Sequence, residues 1–377
     1  MTSKIQIPHE LLPADGRFGS GPSLVRDDQI QRLVDGNTPR THNLIMGTSH
    51  RQAPVKDTVA EIRDMLARLF SIPEGYEVVL GNGGSTAFWA VAVTSLIETR
   101  SAHATFGEFG NKFYDEAARA PFVSAPKRFD ADPGKLAKVE ITEGADVYAW
   151  PHHETSTGVV SDVERVTDSG LMVVDATSIA GGIEVDISQT DAYYFAPQKC
   201  FGSDGGIWFA ILSPAAQERA EKLHKDSSRW MPQILDLSIA ISNSVKNQTL
   251  NTPALATLLM MHAQLEWMLA IGGLEATAKR SRTSTSMVYE WAEKNEYATP
   301  FVRDPQLRSP VVATIDFEGI DAAEIASTLR HNGIVDVEPY RKLGRNQLRI
   351  GAFPSVEPDD VAALLKSIDY VIEQMQK

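Results

Sequence analysis

A single cysteine, Cys200, stands among 377 residues. That leaves no partner for an internal disulfide and no thiol cluster for a metal, and it suits a reducing, cytoplasmic setting. Positive charge is also scarce: 36 basic residues face 49 acidic ones, a formal net charge of −13 at pH 7. Such a balance argues against a general nucleic-acid or anionic-membrane surface, so an anionic ligand must meet a local basic pocket. Long apolar runs are missing too. The most apolar long segment, Pro253–Leu274, is broken by His262, Gln264 and Glu266 and reads as a buried or interfacial helix. The opening MTSKIQIPHELLPADGRF carries prolines and acids where a signal peptide needs a continuous apolar stretch, so export is not expected. What remains is an ordinary globular composition, 43% hydrophobic and 23% charged, in a chain long enough for about two domains.

The chemistry concentrates between Leu171 and Gly206. Leu171–Val174 has the character of a buried strand and ends in Asp175; Tyr193–Phe195 is a second such run and empties into the loop carrying Lys199. In an open α/β sheet, ligands collect at the carboxyl ends of strands, so an acid and an amine arriving there together point to one site. A lysine amine forms a Schiff base with a carbonyl cofactor, and a carboxylate keeps a pyridine nitrogen protonated as an electron sink. That pairing suits pyridoxal phosphate. The competing reading is an acid that caps a turn and a lysine that is merely solvated.

Other stretches either join this site or have blander explanations. Arg17–Val25, RFGSGPSLV, is a turn that lets backbone approach a ligand or another chain, or a plain entry turn. Thr48-Ser49-His50-Arg51 precedes an amphipathic helix from about Val55 to Phe70; Arg51 is an anion contact or an exposed loop arginine. The strand Tyr76–Leu80 runs into Gly81-Asn82-Gly83-Gly84-Ser85-Thr86 and then a helix, a turn whose free N–H groups and hydroxyls would cradle a phosphate. Phe109, between glycines in an expected loop after a strand at His103–Phe106, either stacks on a ring or packs in the core. After a strand at Asp146–Trp150, the neighbours His152, His153 and Glu154 share no helical or strand face, which argues against a metal; Thr155 is the better candidate, as a hydroxyl donor beside a ring. Asn251, Thr252 and Pro253 open the long apolar helix and form a possible anion site. From about Thr299 the pattern becomes α+β, with strands expected at Val311–Phe317, Val335–Pro339 and Gln347–Ile350. Its basic cluster Arg341, Lys342, Arg345 and Arg349 contains a candidate two-arginine carboxylate or phosphate clamp.

Taken in order, SHR at 49–51, GNGGSTAF at 81–88, HETSTG at 153–158, VVDAT at 173–177, APQK at 196–199, NTP at 251–253 and LRIGAFP at 348–354 resemble the phosphoserine aminotransferases over nearly the whole chain. These are fold-type I pyridoxal-phosphate enzymes of the class V aminotransferase group, and the form is similar to the actinobacterial branch. The resemblance implies an α/β fold with a large, mostly parallel-sheet cofactor domain over residues 17–265. A small domain, made of an N-terminal arm (1–16) and an α+β unit (266–377), completes it. It implies transfer of the amino group of L-glutamate to 3-phosphohydroxypyruvate in the cytoplasm, giving O-phospho-L-serine and 2-oxoglutarate for serine biosynthesis, and a possible second role in vitamin B6 formation. By the same resemblance Lys199 and Asp175 are catalytic. Gly84, Ser85, Thr86, Phe109, Thr155, Gln198, Asn251 and Thr252 join them around the cofactor, the last two reaching the neighbouring subunit's phosphate in a homodimer. His50, Arg51, Arg341 and Arg349 hold the substrate, and no metal is implied. Many members carry an arginine where Ser85 stands, a tryptophan where Phe109 stands and a histidine where Tyr340 stands. Two other readings share the fold: a cysteine desulfurase, which needs a thiol on a mobile loop where Cys200 is tied beside Lys199, and a catalytically silent cofactor-binding protein.

Overall fold

A computed structural model describes residues 5–37 and 44–377; residues 1–4 of the expected arm lie outside the described residues. The apolar strands form a seven-stranded sheet, together with a two-stranded hairpin. In chain order they are β1 (Glu77–Asn82), β2 (Ser101–Thr105), β3 (Lys127–Asp130), β4 (Val147–Pro151), the hairpin strands β5 (His153–Glu154) and β6 (Val159–Val160), then β7 (Leu171–Asp175), β8 (Ala192–Phe195) and β9 (Ile207–Leu212). The large sheet is ordered β1-β9-β8-β7-β4-β2-β3, and only β9 runs against the rest. Strands β4, β7 and β9 are buried along their whole length, as continuous apolar runs covered on both faces must be. In β7 and β8 Asp175 lies opposite Tyr194, so the residues that follow both strands emerge side by side at the carboxyl edge.

Helices cover both faces. They are α1 (Asp27–Asp35), α2 (Ala53–Leu69), α3 (Gly84–Ser95), α4 (Glu108–Arg119), α5 (Pro214–His224), α6 (Leu237–Ser244), α7 (Leu255–Ala270) and α8 (Gly273–Lys294). Helix α2 buries Val55, Val59, Ile62, Leu66 and Leu69, the stripe its 3.6-residue spacing predicts. Helix α7 is buried over most of its length against α1 and α2, and among the described residues no single helix is long and apolar enough to cross a membrane.

A second sheet of β10 (Ala298–Pro300), β11 (Val312–Phe317) and β12 (Gln347–Gly351) is antiparallel and carries α9 (Ala322–His331) and α10 (Pro358–Met375). The strand expected at Val335–Pro339 does not form. Val335 makes one bridge to Arg17, and Val337 accepts a single bond from Arg349 N, but Asp336 between them sits at φ 66°, a left-handed conformation that breaks a strand. The N-terminal segment is sewn into this region: Gly351 N donates to the Phe18 carbonyl and Ser23 N to the Gln198 carbonyl. Residues 18–23 thereby tie the end of β12 to the loop of Lys199.

Phe109 also departs from expectation. It lies in the first turn of α4 and not in a loop, because the buried Glu154 carboxylate accepts from Phe109 N at 3.0 Å and Gly110 N at 3.1 Å, supplying the acceptor that an uncapped helix start lacks.

Candidate active site

Five strand ends meet in one cavity of ≈ 280 Å³ lined by Gly83, Gly84, Ser85, Thr86, Trp89, Phe109, His153, Thr155, Asp175, Thr177, Ser178, Gln198, Lys199 and Gly206. Asp175 and Lys199, paired on sequence grounds, are both in its wall. So are Gly84, Ser85, Thr86, Phe109, Thr155 and Gln198. The turn after β1 bends through Gly83 at φ 116° and Gly84 at φ 69°, and α3 then starts with no side-chain cap. Its first N–H groups therefore remain available to an anion, with Ser85 Oγ held by the Thr177 hydroxyl at 2.7 Å.

Asp175 is 6% exposed. Its Oδ1 accepts from Thr177 N at 2.9 Å and its Oδ2 from Trp89 Nε1 at 3.1 Å. Burial nevertheless pushes its carboxyl above the ordinary value, against the pull of those donors. A buried carboxylate with donors but no cation calls for a positively charged partner. Trp89 and Thr177 were not picked out in the sequence. Thr177 had a signal, since a hydroxyl two residues after an acid often closes an Asx-type turn; Trp89 had none, because only the fold brings it to Asp175.

Lys199 Nζ donates to the Ser20 carbonyl at 2.8 Å. A β-carbon at Gly21 would stand 1.8 Å from that nitrogen, so the RFGSGPSLV turn owes its glycine to the close approach of lysine and backbone. Burial, and then the Arg349 guanidinium, lower the Lys199 amine to about 8. Its neutral form is then common near physiological pH. The rate at which cofactor-free protein takes up pyridoxal phosphate should rise roughly tenfold from pH 7 to about pH 9 and level off beyond, where protonated amine has been lost. Absorbance stopped-flow measures it, and a rate still climbing to pH 10 would contradict the lowered amine.

The hydroxyl of Thr155 donates to Ser178 Oγ at 2.5 Å, so its proton is directed within the protein and not into the cavity as expected. The His152-His153-Glu154 triplet is dispersed: His152 Nδ1 meets the Tyr193 hydroxyl at 3.1 Å, His153 Nδ1 meets Ser178 Oγ at 2.8 Å, and Glu154 caps α4. Among the described residues no cluster of His, Cys, Asp and Glu could hold a metal.

The arginine cluster is likewise divided. Arg345 forms an ion pair with Asp316, Lys342 pairs with Glu108, and Arg341 is exposed in a turn of 3-10 helix. Arg349 alone turns inward, donating to the Thr155 carbonyl at 3.2 Å with its guanidinium 5.4 Å from the Tyr340 ring centre. Its Nε is buried without a partner. Arg341 and Arg349 therefore do not form the expected clamp: the first pairs with nothing in the cavity, and the second sits on β12.

His50, Arg51, Asn251 and Thr252 do not line the cavity within one chain. They form a separate group in which His50 Nδ1 meets Thr252 Oγ1 at 3.3 Å and Arg51 Nη1 reaches Gln248 Oε1 at 3.5 Å. Asn251 and Thr252 are exposed, and Asn82 at the end of β1 holds Asn251 Oδ1 at 2.9 Å. Burial and the Arg51 charge lower the His50 imidazole.

An amine of lowered basicity, a buried carboxylate and an uncapped helix start around one cavity define a site for an anionic carbonyl cofactor worked by a lysine. Residues 18–336 match the family model of the class-V aminotransferases, and the chain belongs to that family. Along its whole length it is 55% identical to a putative phosphoserine aminotransferase of Mycobacterium leprae, covering 99% of that protein. It is 54% identical to the phosphoserine aminotransferase of Rhodococcus jostii, covering 100% of it. A solved phosphoserine aminotransferase from Cytophaga hutchinsonii superposes with a TM-score of 0.87 at 22% identity, over 94% of this chain and 99% of that one; at that identity the likeness speaks for the fold. The chain is thus a transaminase that uses pyridoxal phosphate, with a mostly parallel α/β sheet as its scaffold. The residues present fit that group: in the cavity wall Gln198 Oε1 and His153 Nε2 are buried with no hydrogen-bond partner among the described residues, and buried polar atoms are rarely left so without a ligand to meet them.

Proposed function

We propose that this chain transfers the amino group of L-glutamate to 3-phosphohydroxypyruvate, giving O-phospho-L-serine and 2-oxoglutarate for serine biosynthesis. The observation that carries the reading is Arg349, which among the described residues has no carboxylate partner, donates to the Thr155 carbonyl and is near enough to Lys199 to act on its charge. Both substrates carry an α-carboxylate for it to grip. Pyridoxal phosphate supplies a reactive carbonyl and an electron-withdrawing ring when bound. Lys199 holds it and then moves the proton at the substrate α-carbon, a task for which an amine lowered to about 8 is suited. Asp175 keeps the ring nitrogen protonated. Gly84, Ser85, Thr86 and Gln198 hold the phosphate, Phe109 covers the ring, and Thr155 lies on the ring-hydroxyl side.

Asn251 and Thr252, exposed in one chain beside His50 and Arg51, fit a homodimer in which they complete the partner's site, with Arg51, His50 and Arg341 meeting the distal anion of the substrate. The same pocket would accept the related phosphorylated keto acid of vitamin B6 synthesis. We further assign residues 17–265 to a large domain and 1–16 with 266–377 to a small one; Ala313, Ile315, Leu348 and Ile350 of the second sheet pack in a cluster with α9 and α10, while Val312 and Phe353 join the cluster of the large sheet and Phe18 that of the small one. A cytoplasmic setting accords with the lone, buried Cys200.

Substrate discrimination tests this reading. Losing a charge-assisted pair costs roughly 1.5–3 kcal/mol, about ten- to a hundredfold in binding. Arg349→Ala should weaken every donor by that factor, whereas Arg341→Ala and Arg51→Ala should weaken glutamate and 3-phosphohydroxypyruvate but spare alanine, which has no distal anion. Steady-state kcat/KM values across the three variants measure this, and equal losses for all substrates would remove the distal-anion pocket.

A further inference from the structure

His153 lines the cavity, is 3% exposed, and has a buried Nε2 with no partner. The hydrogen bonds around it decide which proton that nitrogen carries. Thr155 donates its hydroxyl proton to Ser178 Oγ at 2.5 Å. Among the described residues the other group placed against Ser178 Oγ is His153 Nδ1, at 2.8 Å, and giving the Ser178 proton to Nδ1 is the arrangement that leaves no buried hydroxyl proton unpaired. A neutral imidazole that accepts at Nδ1 must carry its own proton on Nε2. Burial, reinforced by the neighbouring charges of Lys199 and Arg349 and by His152, holds this imidazole at about 3, so it is neutral at any working pH. The result is a donor with no acceptor, in a cavity whose own donors at Thr155 and Thr177 are already used within the protein.

We propose that His153 contacts the cofactor directly, its Nε2–H donating to the phenolic oxygen of pyridoxal phosphate, and that Ser178 is the positioning residue that fixes the tautomer. The phenolic oxygen lies on the ring carbon next to the one bearing the carbonyl that Lys199 takes, and His153 is close enough to Lys199 to feel its charge. A donor there favours the deprotonated oxygen. The assignment rests on the cavity being the pyridoxal-phosphate site.

The pH at which the bound cofactor changes its absorbance reports this contact without any turnover. His153→Leu should move that transition upward by roughly 0.5–1 pH unit, the size of one neutral hydrogen bond. Ser178→Ala should move it in the same direction. His153→Gln, whose side-chain amide can donate from nearly the same place, should restore most of the wild-type value. In 15N-histidine-labelled holoenzyme, the His153 ring should show its proton on Nε2. A transition unmoved in both His153→Leu and Ser178→Ala, or a proton on Nδ1, overturns the proposal. Variants that lower thermal stability while leaving the transition in place do the same, because they mark a purely structural role. If His153→Leu does not fold, Ser178→Ala and the NMR measurement still decide. A wild-type protein with no cofactor absorbance at all would instead remove the site reading, and the contact with it.

Discussion

Replacing Lys199 with alanine should lower kcat/KM for glutamate and 3-phosphohydroxypyruvate by more than about 10⁴-fold, the upper end of what one positioned proton-transfer group contributes, since the same amine also holds the cofactor. Among the described residues no second amine lines the cavity, so none of them can substitute. The variant should remain folded. Lys199 Nζ has one hydrogen bond, to the Ser20 carbonyl, and its burial is unfavourable to its charge; removing it relieves a desolvated amine, which offsets the lost packing of its stem. Circular dichroism should match the wild type, and a small primary amine added to the assay should restore a minor part of the activity. Transamination above a trace in the unsupplemented variant would sink the assignment of Lys199.

The second large effect belongs to Asp175→Asn. Its two oxygens accept from opposite sides, Oδ1 from Thr177 and Oδ2 from Trp89. An amide has one oxygen, so whichever way it turns, an NH₂ group faces a donor. The substitution also removes the charge that would hold a proton on the cofactor ring. We expect single-turnover rates with glutamate to fall roughly 10²- to 10³-fold, the usual cost of one preorganised electrostatic contact, with the protein still able to bind pyridoxal phosphate. Rapid-scan absorbance measures both, and a near-normal single turnover would falsify the role given to Asp175.

Asp175 and Lys199 could be found in the chain because each follows a short apolar run, and the alternation of such runs with helices makes a parallel sheet whose strand ends share an edge. Gly83 and Gly84 were legible for a related reason: the positive φ values they adopt are open to glycine and costly to other residues. The strand wrongly expected at Val335–Pro339 had apolar spacing in its favour, but pairing with Arg17 on one side and Arg349 on the other holds Asp336 in a turn. Phe109 read as a loop residue because its helix is capped by a carboxylate contributed from the far side of β4, 45 residues away in sequence.

The sequence by itself determined the scaffold and the acid and amine that meet in its cavity, since hydrophobic period, glycine geometry and strand-end position are properties of short stretches. Tertiary structure alone decided the environment of those groups. It set Trp89 on Asp175 across 86 residues and the Ser20 carbonyl on Lys199 across 179, and it sorted the C-terminal cations by giving Arg345 and Lys342 carboxylate partners while leaving Arg349 without one. A charge or a hydroxyl has the same letter whether it is paired, buried or free, and only packing between distant segments settles which.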